Sequence, residues 1–159
     1  MSTAKQNPGM LPPVEKTLQV ALPPEQAFEL FTGGLATWWP LESHSVSEGN
    51  AVSCHVERRV GGRVYEVDAD GGEAIWGTVL AWEPPRRFMT TWHPGKDAAL
   101  ATELEVLFEA AGGGTRLSLT HRNWEVLGEN AAKSQQGYNT GWDFVLGHYM
   151  AEVEANSTQ

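Results

Sequence analysis

The sequence predicts an α+β fold in which a curved seven-stranded antiparallel sheet wraps on a long C-terminal helix, with two short helices after the first strand. Three observations predict it. Residues 133–156 keep a helical period without proline, with Tyr138, Trp142, Val145 and Tyr149 at i, i+4, i+7 and i+11 and Leu146, Met150 and Val153 widening the stripe. Between residues 51 and 121 six apolar-alternating runs follow one another, the first five closed by glycine or proline. Ahead of them, one strand pattern is followed by two short segments with helix start and stop signals. Seven strands with one apolar face curl and need a cover, and the terminal helix is the element long enough to provide it.

In chain order, residues 1–13 are polar and proline-bearing and are expected to be disordered. Val14–Leu22 reads as the first strand. Pro23-Pro24-Glu25 is a helix start, because proline suits the first turn and a carboxylate meets the positive end of the helix dipole. Ala27, Phe28, Leu30 and Phe31 form its buried face, and Gly33-Gly34 ends it. Leu35–Trp39 gives a second short helix stopped by Pro40, and Leu41–Asn50 a polar loop. The strands then run Ala51–Arg58, Arg63–Asp68, Glu73–Trp82, Arg87–His93, Thr102–Glu109 and Thr115–His121, with turns at Gly61-Gly62, Asp70-Gly71-Gly72, Pro84-Pro85, Pro94-Gly95 and Gly112-Gly113-Gly114. Short turns between consecutive strands imply an antiparallel meander. Residues 14–156 read as one domain. The helix over 133–156 carries Gly137, Gly141 and Gly147, each costing up to about 1 kcal/mol relative to alanine, so it needs a partner surface.

Composition narrows the function. A net charge of −9 over 159 residues argues against nucleic acid or an anionic membrane as partner, and Arg58-Arg59 and Arg86-Arg87 are isolated pairs at strand ends. No apolar run is long enough to span a bilayer. Cys54 is the single cysteine, which excludes an internal disulfide and reads as a buried, inert thiol. The opening segment lacks the apolar core of a signal peptide, and the expected setting is cytoplasmic.

The search for chemistry is mostly negative. The five histidines show no zinc-site spacing, and no metal or cofactor is expected. Residues 68–73 resemble a calcium loop only faintly, lack the later glutamate, and read as a hairpin turn. The glycine runs sit in hairpins and are not followed by lysine and serine or threonine, so neither is a phosphate loop. No recognisable catalytic constellation appears, and no catalytic residue is assigned. What remains is aromatic. Trp38, Trp39, Trp76, Trp92, Trp124, Tyr138 and Trp142 either pack as core or line a pocket for an apolar or aromatic molecule. Glu66 and His121 share strand faces with apolar neighbours and can orient such a ligand, whereas Glu57 and Glu66 can instead pair with Arg59 or Arg63 across the hairpin. A buried carboxylate would have a raised pKa. His93, beside Pro94-Gly95, is expected to be exposed. The candidate cavity residues are therefore Trp38, Glu66, Trp76, Trp92, His121, Trp124, Tyr138 and Trp142.

A set of motifs in fixed order carries a resemblance. It comprises Leu22-Pro23-Pro24-Glu25-Gln26-Ala27-Phe28, Trp38-Trp39-Pro40, Arg59-Val60-Gly61-Gly62-Arg63, Trp76-Gly77-Thr78-Val79, Trp82-Glu83-Pro84-Pro85-Arg86-Arg87-Phe88, Gly114-Thr115-Arg116-Leu117, His121-Arg122-Asn123-Trp124-Glu125 and Tyr138-Asn139-Thr140-Gly141-Trp142. Over residues 14–150 the chain resembles the bacterial proteins related to the activator of the heat-shock protein 90 ATPase, within the START-type (SRPBCC, Bet v-like) helix-grip superfamily. That resemblance implies the fold already read from the pattern. It implies three functions: binding of a hydrophobic or aromatic small molecule, modulation of a chaperone ATPase through protein contact, or cyclase or dehydratase chemistry on an aromatic polyketide-type substrate. The first predicts a pocket beside residues 138–149. The second predicts an exposed Trp38-Trp39 surface, since two adjacent tryptophans on a short helix cannot both face the core. The third requires two of Glu57, Glu66 and His121 to face one void. A monomer or a homodimer paired through an edge strand fits the pattern.

Overall fold

The computed structural model describes residues 11–157; of the residues 1–13 expected to be disordered, 1–10 lie outside that range, whereas Leu11 packs against the core and the Pro12 carbonyl accepts from Gln135 Nε2 at 3.2 Å. The strands are β1 (Val14–Val20), β2 (Ala51–Val56), β3 (Arg63–Asp68), β4 (Glu73–Glu83), β5 (Arg87–Trp92), β6 (Thr102–Ala111) and β7 (Gly114–Arg122). They form one antiparallel sheet in the order β1-β7-β6-β5-β4-β3-β2. The meander is as the alternation predicts, and β1 closes onto β7 from Val14 opposite His121 to Val20 opposite Thr115. The sheet edges are therefore β1 and β2.

The sheet curls because its long strands are bent. Register shifts interrupt the β3–β4 pairing between Val64 and Tyr65 and the β4–β5 pairing between Val79 and Ala81. At the bend sits Gly77, where a Cβ would stand 1.8 Å from the Thr91 carbonyl oxygen. Only a residue without a side chain lets β4 and β5 approach this closely.

Helix α1 (Pro24–Thr32) starts on Pro24 behind an extended Pro23, with Glu25 in its first turn, and buries Ala27, Phe28, Phe31 and Thr32. Gly33 ends it in an ordinary right-handed conformation, not the left-handed cap that a glycine at this position suggests. Helix α2 (Leu35–Trp38) is a single turn, and Trp39 is already extended ahead of Pro40. A helical stretch over Trp124–Asn130 that the sequence pattern does not reveal, broken at Gly128 (φ +59°), leads into α3 (Ala131–Ser157).

Helix α3 lies in the concavity of the sheet. Trp142, Val145, Leu146, Tyr149 and Val153 are buried, and Tyr138 and Met150 are packed against the same core. Each fully buried side chain contributes about 1.5–3 kcal/mol, which outweighs the roughly 1 kcal/mol each helical glycine costs. Packing, not propensity, holds this helix. Tyr149 Oη donates to the Ala27 carbonyl at 2.8 Å and ties α3 to α1, and Lys16 on β1 pairs with Asp143 at 2.9 Å.

Two expectations need correcting. His93 is buried: its backbone N–H donates to the Trp76 carbonyl at 2.6 Å, so pairing with β4 continues past the strand end. Glu66 does not pair with an arginine. Glu57 alone does, holding Arg63 at 2.8 Å and Arg59 at 3.7 Å. The residue 68–73 segment is a hairpin turn in which Asp68 accepts from the N–H groups of Asp70 and Gly72.

Candidate functional site

Between α3 and the open end of the sheet lies a half-enclosed cleft of about 330 Å³, lined by Trp39, His44, Ser45, Val46, Trp76, Trp92, Pro94, Gly95, Tyr138, Gly141, Trp142 and Val145. Four indoles form its wall as one cluster. Ring centroids are 5.0 Å apart for Trp39–Trp76, 5.7 Å for Trp76–Trp92 and Trp92–Trp142, 5.9 Å for Trp39–Trp92 and 6.0 Å for Trp39–Trp142. β4 supplies Trp76, β5 supplies Trp92 and α3 supplies Trp142. Trp39 swings in from the extended residue after α2, which is why adjacent tryptophans both face inward. The helix ends between them, so the helical 100° spacing no longer separates their directions.

Most of these rings are fixed by polar partners behind them. Trp39 Nε1 donates to the His44 carbonyl at 2.6 Å. Trp76 Nε1 donates to Glu66 Oε1 at 2.7 Å, and the same carboxylate accepts from the backbone N–H groups of Val46 and Ser47, each at 2.7 Å. One buried side chain thus sets a wall tryptophan and the loop that carries His44, Ser45 and Val46. Burial pushes the Glu66 carboxyl up, but the N–H donors of Val46, Ser47 and Trp76 together outweigh it and hold its pKa below the ordinary value. The raised value expected for a buried carboxylate is therefore not found here.

Trp142 Nε1 donates to His121 Nδ1 at 3.0 Å, and His121 Nε2 lies 2.6 Å from Thr102 Oγ1. An indole N–H can only donate, so Nδ1 is the acceptor and the ring proton sits on Nε2. Thr102 receives that proton's hydrogen bond and passes its own to the Trp92 carbonyl at 3.0 Å. Burial lowers the His121 pKa to about 3, which keeps the ring neutral and the chain of donors in one direction. Trp124, tilted, and Tyr138, edge-on, pack around this histidine with ring centroids at 4.3 and 4.6 Å.

Of the candidate residues read from the sequence, the structure brings Trp76, Trp92, Tyr138 and Trp142 together on the cleft. Glu66 and His121 lie behind it as supports. Trp124 is buried beside His121, and Trp38 is buried against Phe31 and Tyr149 with its Nε1 donating to the Leu30 carbonyl. Trp39 takes the place that the sequence reading gave to Trp38. The loop residues His44, Ser45, Val46, Pro94 and Gly95 carry no periodic signal and are found only in three dimensions. None of Glu57, Glu66 and His121 lines the cleft, so no acid–base pair of that set faces one void. The buried Cys54 thiol is pushed up to about 12 by burial and by the charge of Glu66, and it is no nucleophile.

Comparison with known proteins places this geometry. A model of the family "Activator of Hsp90 ATPase homolog 1-like protein" matches residues 21–151. Among solved structures, the anthrahydroquino-gamma-pyrone synthase Txn09, solved complexed with a compound abbreviated SUM, is 38% identical, with 77% of this chain and 84% of that one covered at a TM-score of 0.56. Protein NE0264 from Nitrosomonas europaea shares the fold at 16% identity and a TM-score of 0.66, covering 93% of this chain and 97% of its own. The Aha1 dimer from Colwellia psychrerythraea does so at 18% identity and a TM-score of 0.63, covering 91% and 97%. No significant match is found among curated proteins. Among the described residues no helix is long and apolar enough to cross a membrane. With its curled seven-stranded sheet, its long C-terminal helix and a family match over residues 21–151, the chain belongs to the activator of Hsp90 ATPase homolog 1-like family of helix-grip proteins.

Proposed function

We propose that the chain binds a flat aromatic small molecule of polyketide type in the tryptophan-walled cleft. The observation that carries this reading is the contiguous cluster of Trp39, Trp76, Trp92 and Trp142, left open on one side within a cleft of about 330 Å³. That volume is near the lower end of small-molecule sites (roughly 300–1,000 Å³), which suits one compact ring system. Indole faces favour offset or edge-on contact with another π-system. The likeness to a synthase whose product name joins an anthrahydroquinone to a pyrone supports the ligand class. The test is quenching of intrinsic tryptophan fluorescence by planar aromatic ketones, repeated on Trp39→Ala. Saturable quenching that weakens at least about tenfold in the variant is expected for loss of one stacked wall. Absence of saturable quenching, or equal affinity in the variant, refutes it.

A second reading is favoured by the 38% identity alone: that the cleft closes a pyrone ring on such a molecule. Tyr138, His44 and Ser45 bear hydroxyl or imidazole groups on the lining that could serve it. The assay is ring closure on an anthraquinone bearing an open side chain, and a rate no higher than the uncatalysed one removes this reading. The chaperone-contact reading has less support, because Trp38 is buried and the partly buried Trp39 faces the cleft.

A further inference from the structure

Three of the four wall tryptophans have their ring N–H bound by the protein: Trp39 to the His44 carbonyl, Trp76 to Glu66 and Trp142 to His121. The fourth does not. Trp92 is 6% exposed, and among the described residues its Nε1 has no hydrogen-bond partner. The Tyr138 hydroxyl, which can accept as well as donate, lies on the same cleft. The two groups are neighbours: burial raises the Tyr138 pKa, and the approach of the Trp92 indole N–H to its oxygen partly offsets it. Trp92 Nε1 thus has only the Tyr138 oxygen beside it, out of full bonding geometry, and the phenol keeps its own proton to give. Buried polar groups are nearly always satisfied, and an exception calls for a partner that arrives from outside. Trp124 Nε1 is also unpartnered, but Trp124 does not line the cleft and adds nothing to the site.

We propose that the cleft selects its ligand by a ring carbonyl oxygen, received jointly by Trp92 Nε1–H and Tyr138 Oη–H. The inference rests on the aromatic-ligand reading above and specifies its chemistry. Among the described residues the lining contains no lysine or arginine to balance a full negative charge, whereas a neutral carbonyl is matched by neutral donors. The ligand class is then a neutral polycyclic ketone, quinone or pyrone, held flat by the indoles and set in register by its oxygen.

The test uses the full chain with two probes of nearly the same shape, 9-fluorenone and fluorene. On burial alone the hydrocarbon, with more apolar surface, binds better. Fluorenone is expected to bind at least about tenfold tighter, the gain from one net hydrogen bond. The Trp92 indole proton should move downfield in the nuclear magnetic resonance spectrum with fluorenone and stay with fluorene. Tyr138→Phe should abolish most of the preference for fluorenone over fluorene, since it removes the donating oxygen. Should that variant fail to fold, the wild-type preference and the Trp92 resonance decide. Equal or tighter binding of fluorene, or a Trp92 proton that responds alike to both, overturns the carbonyl clamp and leaves the aromatic cleft standing. Binding of neither probe overturns both.

Discussion

Glu66→Gln tests how the wall of the cleft is built. In the wild type Oε1 accepts from Val46 N–H and Trp76 Nε1–H, and Oε2 accepts from Ser47 N–H, all at 2.7 Å. Glutamine has one acceptor oxygen. Placed at the Oε1 position it keeps two bonds, now neutral, and sets its NH₂ against the Ser47 donor. One charge-assisted bond is lost and a donor faces a donor, which costs about 2–4 kcal/mol. Glu66→Ala strips all three partners and should cost more. The sign with pH follows from the folded-state pKa lying below the ordinary carboxylate value: the stabilisation is present above the unfolded pKa and is lost as pH falls through the folded value. The gap between wild type and Glu66→Gln should therefore be full at pH 7 and narrow below about pH 4. Urea denaturation of both proteins from pH 7 to pH 3.5, followed by circular dichroism and tryptophan fluorescence, measures it. Proteolysis within residues 41–50 should accelerate in the variant. Equal stability at pH 7, or a gap that stays constant on acidification, would refute the clamp.

Other outcomes follow from the same geometry. His121 is neutral in the fold with a pKa near 3, below its unfolded value, so stability is full above pH 6.5 and falls as pH drops from there towards 3, by roughly 4 kcal/mol in all; His121→Gln should flatten that part of a stability-versus-pH curve. Gly77→Ala would put a methyl on the Thr91 carbonyl and should cost about 3 kcal/mol or more, read as a fall of several degrees in Tm. On α3 an added Cβ meets nothing within 4 Å at Gly147 or Gly141. Each alanine should stabilise by up to about 1 kcal/mol, but only Gly141→Ala should weaken ligand binding, as measured by fluorescence titration, because Gly141 lines the cleft.

The architecture was legible because two periods coexist in the chain. Alternation in Thr102–Ala111 and Gly114–Arg122 marks inward Leu104, Val106, Leu117 and Leu119, all of them buried, and the stripe through Trp142, Val145 and Tyr149 marks the face of the helix that the sheet grips. The cleft was legible only in part. Trp76, Trp92, Tyr138 and Trp142 lie on periodic elements, so their direction can be read. Trp39, His44 and Val46 lie where the period stops, and their positions depend on a carboxylate twenty residues away in sequence from Val46. The role of Glu66 shows the limit most clearly. A glutamate on an apolar face suggests either an ion pair or a raised pKa, and which of these fails depends on loop N–H groups that no local pattern announces. His93 escapes the local pattern for a related reason, since its burial accompanies backbone pairing with Trp76 across the sheet.

The glycines of α3 connect the fold to the site. A helix carrying Gly137, Gly141 and Gly147 gives up roughly 2–3 kcal/mol of intrinsic stability relative to alanine. Gly137 and Gly147 are exposed, and a side chain there would meet open space, so nothing in the structure explains them. Gly141 differs, because it is half-buried between Tyr138 and Trp142 on the cleft. A Cβ there meets nothing within 4 Å, but it would stand at the rim of the cleft that Gly141 lines. The helix must therefore be held by the sheet, through Trp142, Val145, Leu146, Tyr149 and Val153, so that one turn of it can remain without a side chain. Burial of that face is what permits the cleft to stay open, and a chain with the same sheet but alanine at residue 141 should be the more stable protein and the poorer binder.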